Sequence, residues 1–350
     1  MTGRARRWAT LVLGLSVSAF FLWITLRRVE LDSVAAALAS VSLPILSLAL
    51  LTKGIQFLAL GLRSRFTVGP FKPVAYGTLV ASQLLGYTGN NVLPFRLGEV
   101  LRIDYLARRS GVGRAELVGT VVAERLMDTV ALLLLFVATV PLVLGGETLE
   151  GRIPWMAGLT VVAFVTGIGL TRWDGLGPLV ETLLRPVHEP TAVLVREKLE
   201  AAVTGLVSLA DARWTPGAAL ATVLYWTAAL ASLRIVLSAF DLALPWYAPL
   251  LILALTALGT ALPSSPGFVG TYHYFSALGV SLLGVDTVTA TSFALVAHAM
   301  ATVPWTVVGL LVFARSMGVW VGEARERREG RTSTRSGSAG EPAGAREEVG

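Results

Sequence analysis

Apolar runs of about twenty residues recur along this chain of 350, each long enough to cross the roughly 30 Å hydrocarbon core of a bilayer as a helix. The strands of a transmembrane barrel would instead alternate apolar and polar residues over segments of about ten, and no such alternation is present. The expected fold is an all-α polytopic membrane protein. Within it, every charge must find a partner, a water-filled cavity or a ligand. One stretch stands out on that account: Gly86 to Asp128 crowds Arg96, Glu99, Arg102, Glu124, Arg125 and Asp128 between long apolar segments.

Composition closes other routes. The net charge of +6 lies largely in arginine-bearing loops beside apolar spans, where the positive bias of cytoplasmic loops concentrates it, so no nucleic-acid partner is expected. There is no cysteine, which excludes disulfides, thiol catalysis and Cys-ligated metals. His188, His273 and His298 are far apart and lack helical metal-motif spacing, so neither a metal nor another cofactor is expected. Arg4, Arg6 and Arg7 precede the run Trp8 to Leu26, which is too long for a signal-peptide core and ends in Arg27 and Arg28, so it reads as an uncleaved first span.

Taken in order, the second span runs from about Ser42 to Leu62. The apolar piece Val74 to Leu93 then lies between two basic segments, one with Arg63, Arg65 and Lys72, the other with Arg96, Arg102, Arg108, Arg109 and Arg114. A single crossing would put one basic flank outside, whereas a re-entrant hairpin keeps both on the cytoplasmic side. Its apex is expected at Gly86 to Asn91, where Gly-Tyr-Thr-Gly-Asn-Asn is turn chemistry. Glu116 to Leu144 crosses outward and Pro154 to Thr171 returns. A mixed-charge segment, about 172–214, contains an amphipathic helix expected to lie on the membrane surface. Gly217 to Phe240 crosses outward, and a second interrupted unit, Pro249 to Leu283, is broken by Pro-Ser-Ser-Pro-Gly at 263–267. Val288 to Phe313 brings the chain back. The polar tail, 315–350, is expected to be disordered and cytoplasmic.

The halves 42–144 and 217–313 thus each read span, broken hairpin, span, in opposite orientations: an inverted repeat with six full spans and two re-entrant broken hairpins, in one transmembrane domain over 1–314. Paired Gly/Pro interruptions at corresponding places point to a substrate site near the midplane, because a broken helix exposes free N–H groups that attract anions.

Arg96, Glu99 and Arg102 occupy successive turns of the returning arm. Two readings are open: a mutually satisfied ladder, or a site with positive charge left for an anionic headgroup. Glu116, Thr120, Glu124 and Asp128 form a stripe on the next span with Arg125 at its border. That stripe is either ion-paired glue or the lining of a cavity that carries a proton. Asn90 and Asn91 are turn residues or apex ligands. Lys53 and Arg234 read as snorkelling or carboxylate-paired side chains rather than substrate contacts. His298 reads as hydrogen-bonded core. Tyr272 and His273 follow the second break, His273 at about the place where the first unit carries Glu99.

With these residues in view, the chain resembles the lysylphosphatidylglycerol synthase transmembrane-domain family, also described as flippase-like or YbhN-type membrane proteins. The motifs that carry the likeness are Asn91 to Glu99 (NVLPFRLGE), Glu124 to Asp128 (ERLMD) and Leu262 to Gly270 (LPSSPGFVG); the family commonly has a glutamate where His273 stands. The resemblance implies handling of a lipid headgroup, of an anionic phospholipid, a glycolipid or a polyprenyl-linked lipid. Ser264, Ser265 and Gly267 of the third motif join Asn90, Asn91, Arg96, Glu99, Arg102, Glu124, Arg125, Asp128, Tyr272 and His273 as candidate substrate-binding residues. No segment reads as a soluble catalytic domain. The expected function is that of a lipid flippase or transporter rather than an enzyme, in the plasma (inner) membrane of a prokaryote with both termini cytoplasmic. The alternative is a membrane subunit of a lipid-modifying enzyme whose catalytic domain is a separate chain.

Overall fold

The computed structural model of the chain describes residues 16–25, 41–144, 213–262 and 264–337, together with positions 27, 32, 36, 39 and 211. Among the described residues every regular element is a helix. In chain order these are α1 (Ser16–Thr25), α2 (Leu43–Val68), α3 (Tyr76–Val92), α4 (Gly98–Ser110), α5 (Arg114–Leu144), α6 (Thr215–Ala239), α7 (Ala248–Ala261), α8 (Thr271–Ser281) and α9 (Thr287–Gly337). Proline stands in the first turn of α2, α6 and α7, where its missing N–H leaves no intrahelical bond unmade.

Among the described residues three helices, α2, α6 and the Thr287–Ser316 part of α9, are long and apolar enough to cross a membrane. Their outward faces carry large apolar side chains: Leu43, Leu220 and Leu311 are 74%, 68% and 61% exposed. Such a surface suits hydrocarbon, not water. Helix α5 has 31 residues, a rise of roughly 46 Å, and its first half holds the charges of the Glu124 motif.

The chief apolar core lies between α2, α6, α7, α8 and α9, around Ile252, Val280, Phe293 and Leu237, all fully buried. A second core joins the end of α2 to α3, α4 and the start of α5 through Val68, Leu79, Leu106 and Leu117. Helix α2 packs along α6, α3 against α4 and α9, and α7 against α8 and α5.

Both interrupted units are helix, 3₁₀ turn, helix. The turns are Pro94–Arg96 between α3 and α4, and Pro266–Phe268 between α7 and α8. The second break falls where the Pro-Ser-Ser-Pro-Gly run predicts it. The first does not: α3 continues through Gly86 to Asn91, the expected apex, and stops only at Val92. The glycines there serve packing rather than turning. A Cβ on Gly89 would lie 2.5 Å from the Gly98 Cα, and one on Gly98 would fall on the Gly86 carbonyl oxygen. Close approach of two helix backbones uses glycine as surely as a turn does, and here the chain turns at Pro94 instead.

The tail departs from expectation as well. Helix α9 does not end near Phe313 but runs to Gly337. The continuation, with Glu323, Ala324, Arg325, Glu326, Arg327, Arg328 and Glu329, is built of strong helix formers. The span Pro154 to Thr171, the amphipathic segment up to residue 210, the first part of the span Trp8 to Leu26 and residues 338–350 lie outside the described residues.

Candidate functional site

The charges of the middle stretch assemble across four helices. Glu124 of α5 is 1% exposed and Arg102 of α4 is 2% exposed. They meet at 2.8 Å. Glu124 also accepts hydrogen bonds from Ser64 (2.9 Å) and Thr67 (3.0 Å) of α2 and from Gln83 of α3 (3.4 Å), with the Arg63 guanidinium 3.6 Å away. Every one of these partners is a donor, a set that a carboxylate satisfies in full. Arg63 then grips Asp128 with both terminal nitrogens, at 2.6 and 3.3 Å. Arg125 bridges Asp128 (3.4 Å) and Glu99, and Glu99 closes the circuit to Arg102 at 3.8 Å.

Three guanidiniums, Arg63, Arg102 and Arg125, thus balance three carboxylates, Glu99, Glu124 and Asp128. The surplus charge that the Arg96, Glu99 and Arg102 ladder suggests is cancelled for Arg102 by Glu124, which the fold brings from the next helix. The same geometry favours fixed ion pairs over a proton carrier for the α5 stripe. Glu116 stands outside the network, its carboxylate against Gly113, and Thr120 bonds back to Leu117 of its own helix.

Beside this network lies a cavity of about 590 Å³. Its wall includes Asn90, Asn91, Arg96, Arg125, Asp128 and Tyr272 of the candidates named from sequence. Glu99, Arg102 and Glu124 stand behind that wall, and Ser264, Ser265, Gly267 and His273 belong to the second break rather than to the lining. Ser265 N–H donates to Ser18 Oγ of α1 at 2.7 Å, so α1 is pinned to the second break.

The histidines form a directed chain. Gly270 N–H donates to His273 Nδ1 (3.4 Å), His273 meets His298 Nδ1 through Nε2 (2.9 Å), and His298 Nε2 reaches the Gly267 carbonyl (2.8 Å). One proton per ring satisfies all three bonds, His273 donating from Nε2 and His298 from its own Nε2. Tyr272 stacks on His298 with ring centroids 4.5 Å apart. The pair ties α8 to α9 and holds the loop of the second break.

Two cations on the cavity wall form no ion pair with a described residue. Lys53 of α2 bonds to Gln56 Oε1 at 3.1 Å and sits over the Tyr87 ring at 5.3 Å. Arg96 reaches from the first break to the second: it donates to the Thr260 carbonyl at 2.8 Å and lies over the Phe268 ring at 5.3 Å. Arg96 and Phe268 are the third residues of their 3₁₀ turns, and both hold positive φ, 53° and 57°. Non-glycine residues in that region cost on the order of 1–3 kcal/mol and persist where surroundings over-determine them. Arg234, by contrast, is not on the described wall and donates to the Leu244 carbonyl.

Sequence reasoning did not place Lys53, Tyr87, Tyr225 or Trp226 on the cavity wall, whereas His298, read as hydrogen-bonded core, is buried with both ring nitrogens engaged. A usable signal existed for Lys53, a lone cation in the middle of an apolar span, but nothing in its own helix says what it faces.

No match to the chain is found among curated proteins. A family model described as the lysylphosphatidylglycerol synthase TM region matches residues 11–309. That range holds both broken units, the ion network and the cavity, and it covers most of the chain. The protein is an integral membrane protein that belongs to the lysylphosphatidylglycerol synthase TM region family.

Proposed function

We propose that the protein is a lipid flippase or transporter, and that it moves a lipid with an anionic, phosphate-containing headgroup through the cavity between its two broken units. The observation that carries this reading is the pair Lys53 and Arg96, two cations on one cavity wall that form no ion pair with a described residue, in a protein whose other central charges are matched. Unmatched charge inside a membrane is costly unless a ligand or water uses it. A phosphate accepts from both a guanidinium and an ammonium.

The architecture proposed with it is an inverted repeat of six spans and two re-entrant hairpins, both termini cytoplasmic, in a plasma membrane. The packing supports this. Exchange α2 with α6, α3 with α7, α4 with α8 and α5 with α9, and the helix-to-helix contacts map onto themselves: α3 on α9 becomes α7 on α5, α2 on α3 becomes α6 on α7, and α2 on α6 and the meeting of the two 3₁₀ turns are unchanged. In such repeats the substrate site lies where the broken helices meet.

The test is reconstitution of the full chain in proteoliposomes with fluorescent phosphatidylglycerol in both leaflets, using a membrane-impermeant quencher to read exchange between them. Exchange well above that of protein-free vesicles is expected, falling to background for the double variant Lys53→Ala, Arg96→Ala at equal protein content. A parent no faster than empty vesicles overturns the flippase reading. If movement appears only after a copurifying transferase is added back, the protein is a membrane subunit of a lipid-modifying enzyme.

A further inference from the structure

We infer that His273 and His298 form a single proton-binding site at the cavity wall, and that a proton bound there comes to rest on His298 while the Gly270 N–H at the start of α8 is released.

Backbone groups fix the direction of the histidine chain at both ends. At one end is a donor, the Gly270 N–H on His273 Nδ1, and at the other an acceptor, the Gly267 carbonyl facing His298 Nε2. With one proton on each ring, both at Nε2, the two remaining lone pairs are on the Nδ1 atoms. Both are occupied, by the Gly270 N–H and by the His273 Nε2–H. A further proton therefore has no vacant place and must displace a donor. Placed on His273 Nδ1, it pushes the Gly270 N–H away, and the proton at His273 Nε2 then passes along the 2.9 Å hydrogen bond to His298 Nδ1. The pair has gained one proton: His298 holds two, and His273 is neutral again with its single proton moved to Nδ1.

Geometry favours the charge on His298. There both N–H groups have acceptors, His273 Nε2 at 2.9 Å and the Gly267 carbonyl at 2.8 Å. The ring also stacks on Tyr272, with centroids 4.5 Å apart and planes 19° apart, within reach of a cation–π interaction. On His273 the charge would sit in the first turn of α8, the unfavourable end of a helix for a cation. The one bond given up is the longest of the three, at 3.4 Å.

Two consequences follow. Gly270 carries the chain into α8 with φ 89°, and it lies so close to α1 that a Cβ there would fall on the Ser18 carbonyl oxygen. Releasing its N–H loosens the joint between the second break, α8 and α1. The proton also puts a charge on a residue of the cavity wall. The ionisable groups around the pair are Tyr272 and Tyr274 of α8, Tyr87 of α3, whose hydroxyl donates to the Ala301 carbonyl, Tyr225 of α6, Lys53 of α2 and Arg96 at the first break. Helix α7 and the described part of α1 contain none. Asp128 and Arg125 of α5 border the cavity but are paired with each other, with Arg63 and with Glu99. Among the described residues neither histidine pairs with a carboxylate. The counter-charge for the proton is then an anion in the cavity, and each favours binding of the other. This last step rests on the headgroup reading above, whereas the proton site does not.

The experiment is NMR of the histidine ring nitrogens, isotope-labelled, in the full chain in lipid nanodiscs, titrated from about pH 8 to about pH 5. His188, the one other histidine, is removed by His188→Gln. Two rings protonated at Nε2 are expected at the start. Acid should produce one transition, in which one ring gains a second proton and the other moves its proton to Nδ1. In His273→Gln the amide accepts from Gly270 and donates to His298 in a fixed direction, so His298 should no longer titrate. Rings that titrate in two separate steps with His273 keeping its tautomer, or that stay neutral until the protein unfolds, overturn the inference; so does a His298 titration unchanged in His273→Gln. If that variant does not fold, the parent titration decides alone. A second arm measures retention of short-chain phosphatidylglycerol by the purified chain at both ends of the range. Retention about fivefold or more tighter in acid is expected, with the difference absent from His273→Gln. No lipid retained at either pH, with the histidine transition present, removes the headgroup reading and leaves the proton site standing.

Discussion

Glu124 is the point at which four helices are held to one another, and replacing it measures that directly. It is 1% exposed, pairs with Arg102 at 2.8 Å, and takes further hydrogen bonds from Ser64, Thr67 and Gln83. Removing one partner of a buried ion pair costs about 3–5 kcal/mol, most of it from the charge left behind. Glutamine keeps one acceptor oxygen for Ser64 or Arg102 but turns an amide N–H₂ towards donors, which places Glu124→Gln near the lower figure. Leucine keeps nothing for Arg102, and Glu124→Leu belongs near the upper one. At about 2 °C per kcal/mol for a chain of this size, the expected falls in Tm are roughly 6 °C and 10 °C.

The assay is thermal unfolding of detergent-purified protein, read as loss of the monodisperse peak on size-exclusion chromatography. Arg125→Gln serves as the comparison: its side chain is 53% exposed, and a pair open to solvent is worth about 0–1 kcal/mol. Arg102→Met combined with Glu124→Leu should cost less than the sum of the single changes, since neither charge is then stranded. A Glu124→Gln variant as stable as the parent, and altered instead only in its response to an imposed pH gradient, refutes the structural reading and makes Glu124 a proton carrier.

Two further predictions follow from the backbone. Gly98→Ala should abolish monodisperse expression, because its Cβ would collide with the Gly86 carbonyl and lie 2.5 Å from the Asn90 amide nitrogen, while Gly77→Ala, a helical site with nothing within 4 Å of the new methyl, should stabilise by about 0.5–1 kcal/mol in the same Tm assay. Asp286, just before α9, accepts from the Thr289 N–H at 2.9 Å, and that backbone bond holds its carboxyl below the usual carboxylate range. A depressed folded-state pKa adds stability that is present above the unfolded value of about 3.9 and is lost as pH falls through the folded one; the cap should therefore contribute its full share, about 1 kcal/mol, at pH 7, and the Tm difference between the parent and Asp286→Ala should shrink only below about pH 4.

Much of the fold is legible in the sequence because bilayer spans and proline breaks are written locally. Long apolar runs locate α2, α6 and α9, and the Pro263 to Gly267 run locates the second break. The first break is displaced because glycine has two uses. Gly86 and Gly89 in a turn and Gly86 and Gly89 at a backbone crossing look the same in one dimension, and only Gly98, nine and twelve residues away, distinguishes them. Pro94 is the local signal that outranks both, since a residue that precedes proline leaves the helical region whatever its neighbours prefer.

Charges are less legible still, because pairing along one helix competes with pairing between helices. Spacing places Arg102 beside Glu99, and the structure does put them at 3.8 Å, yet the shorter contact of Arg102 is with Glu124, on a different helix. Arg63, assigned from its sequence position to a cytoplasmic loop, is the residue that fastens Asp128, because α2 runs on to Val68 and carries it inside. Once Arg63 and Glu124 are counted, the arginine surplus of the motif moves off α4 to Arg96, and a second cation, Lys53, joins it from α2. Spacing along one helix therefore misassigns the pairing: most of the motif's charges are matched to one another or to Arg63, and the cations of the described cavity wall that form no ion pair with a described residue are Arg96, at the break, and Lys53, which no motif contains.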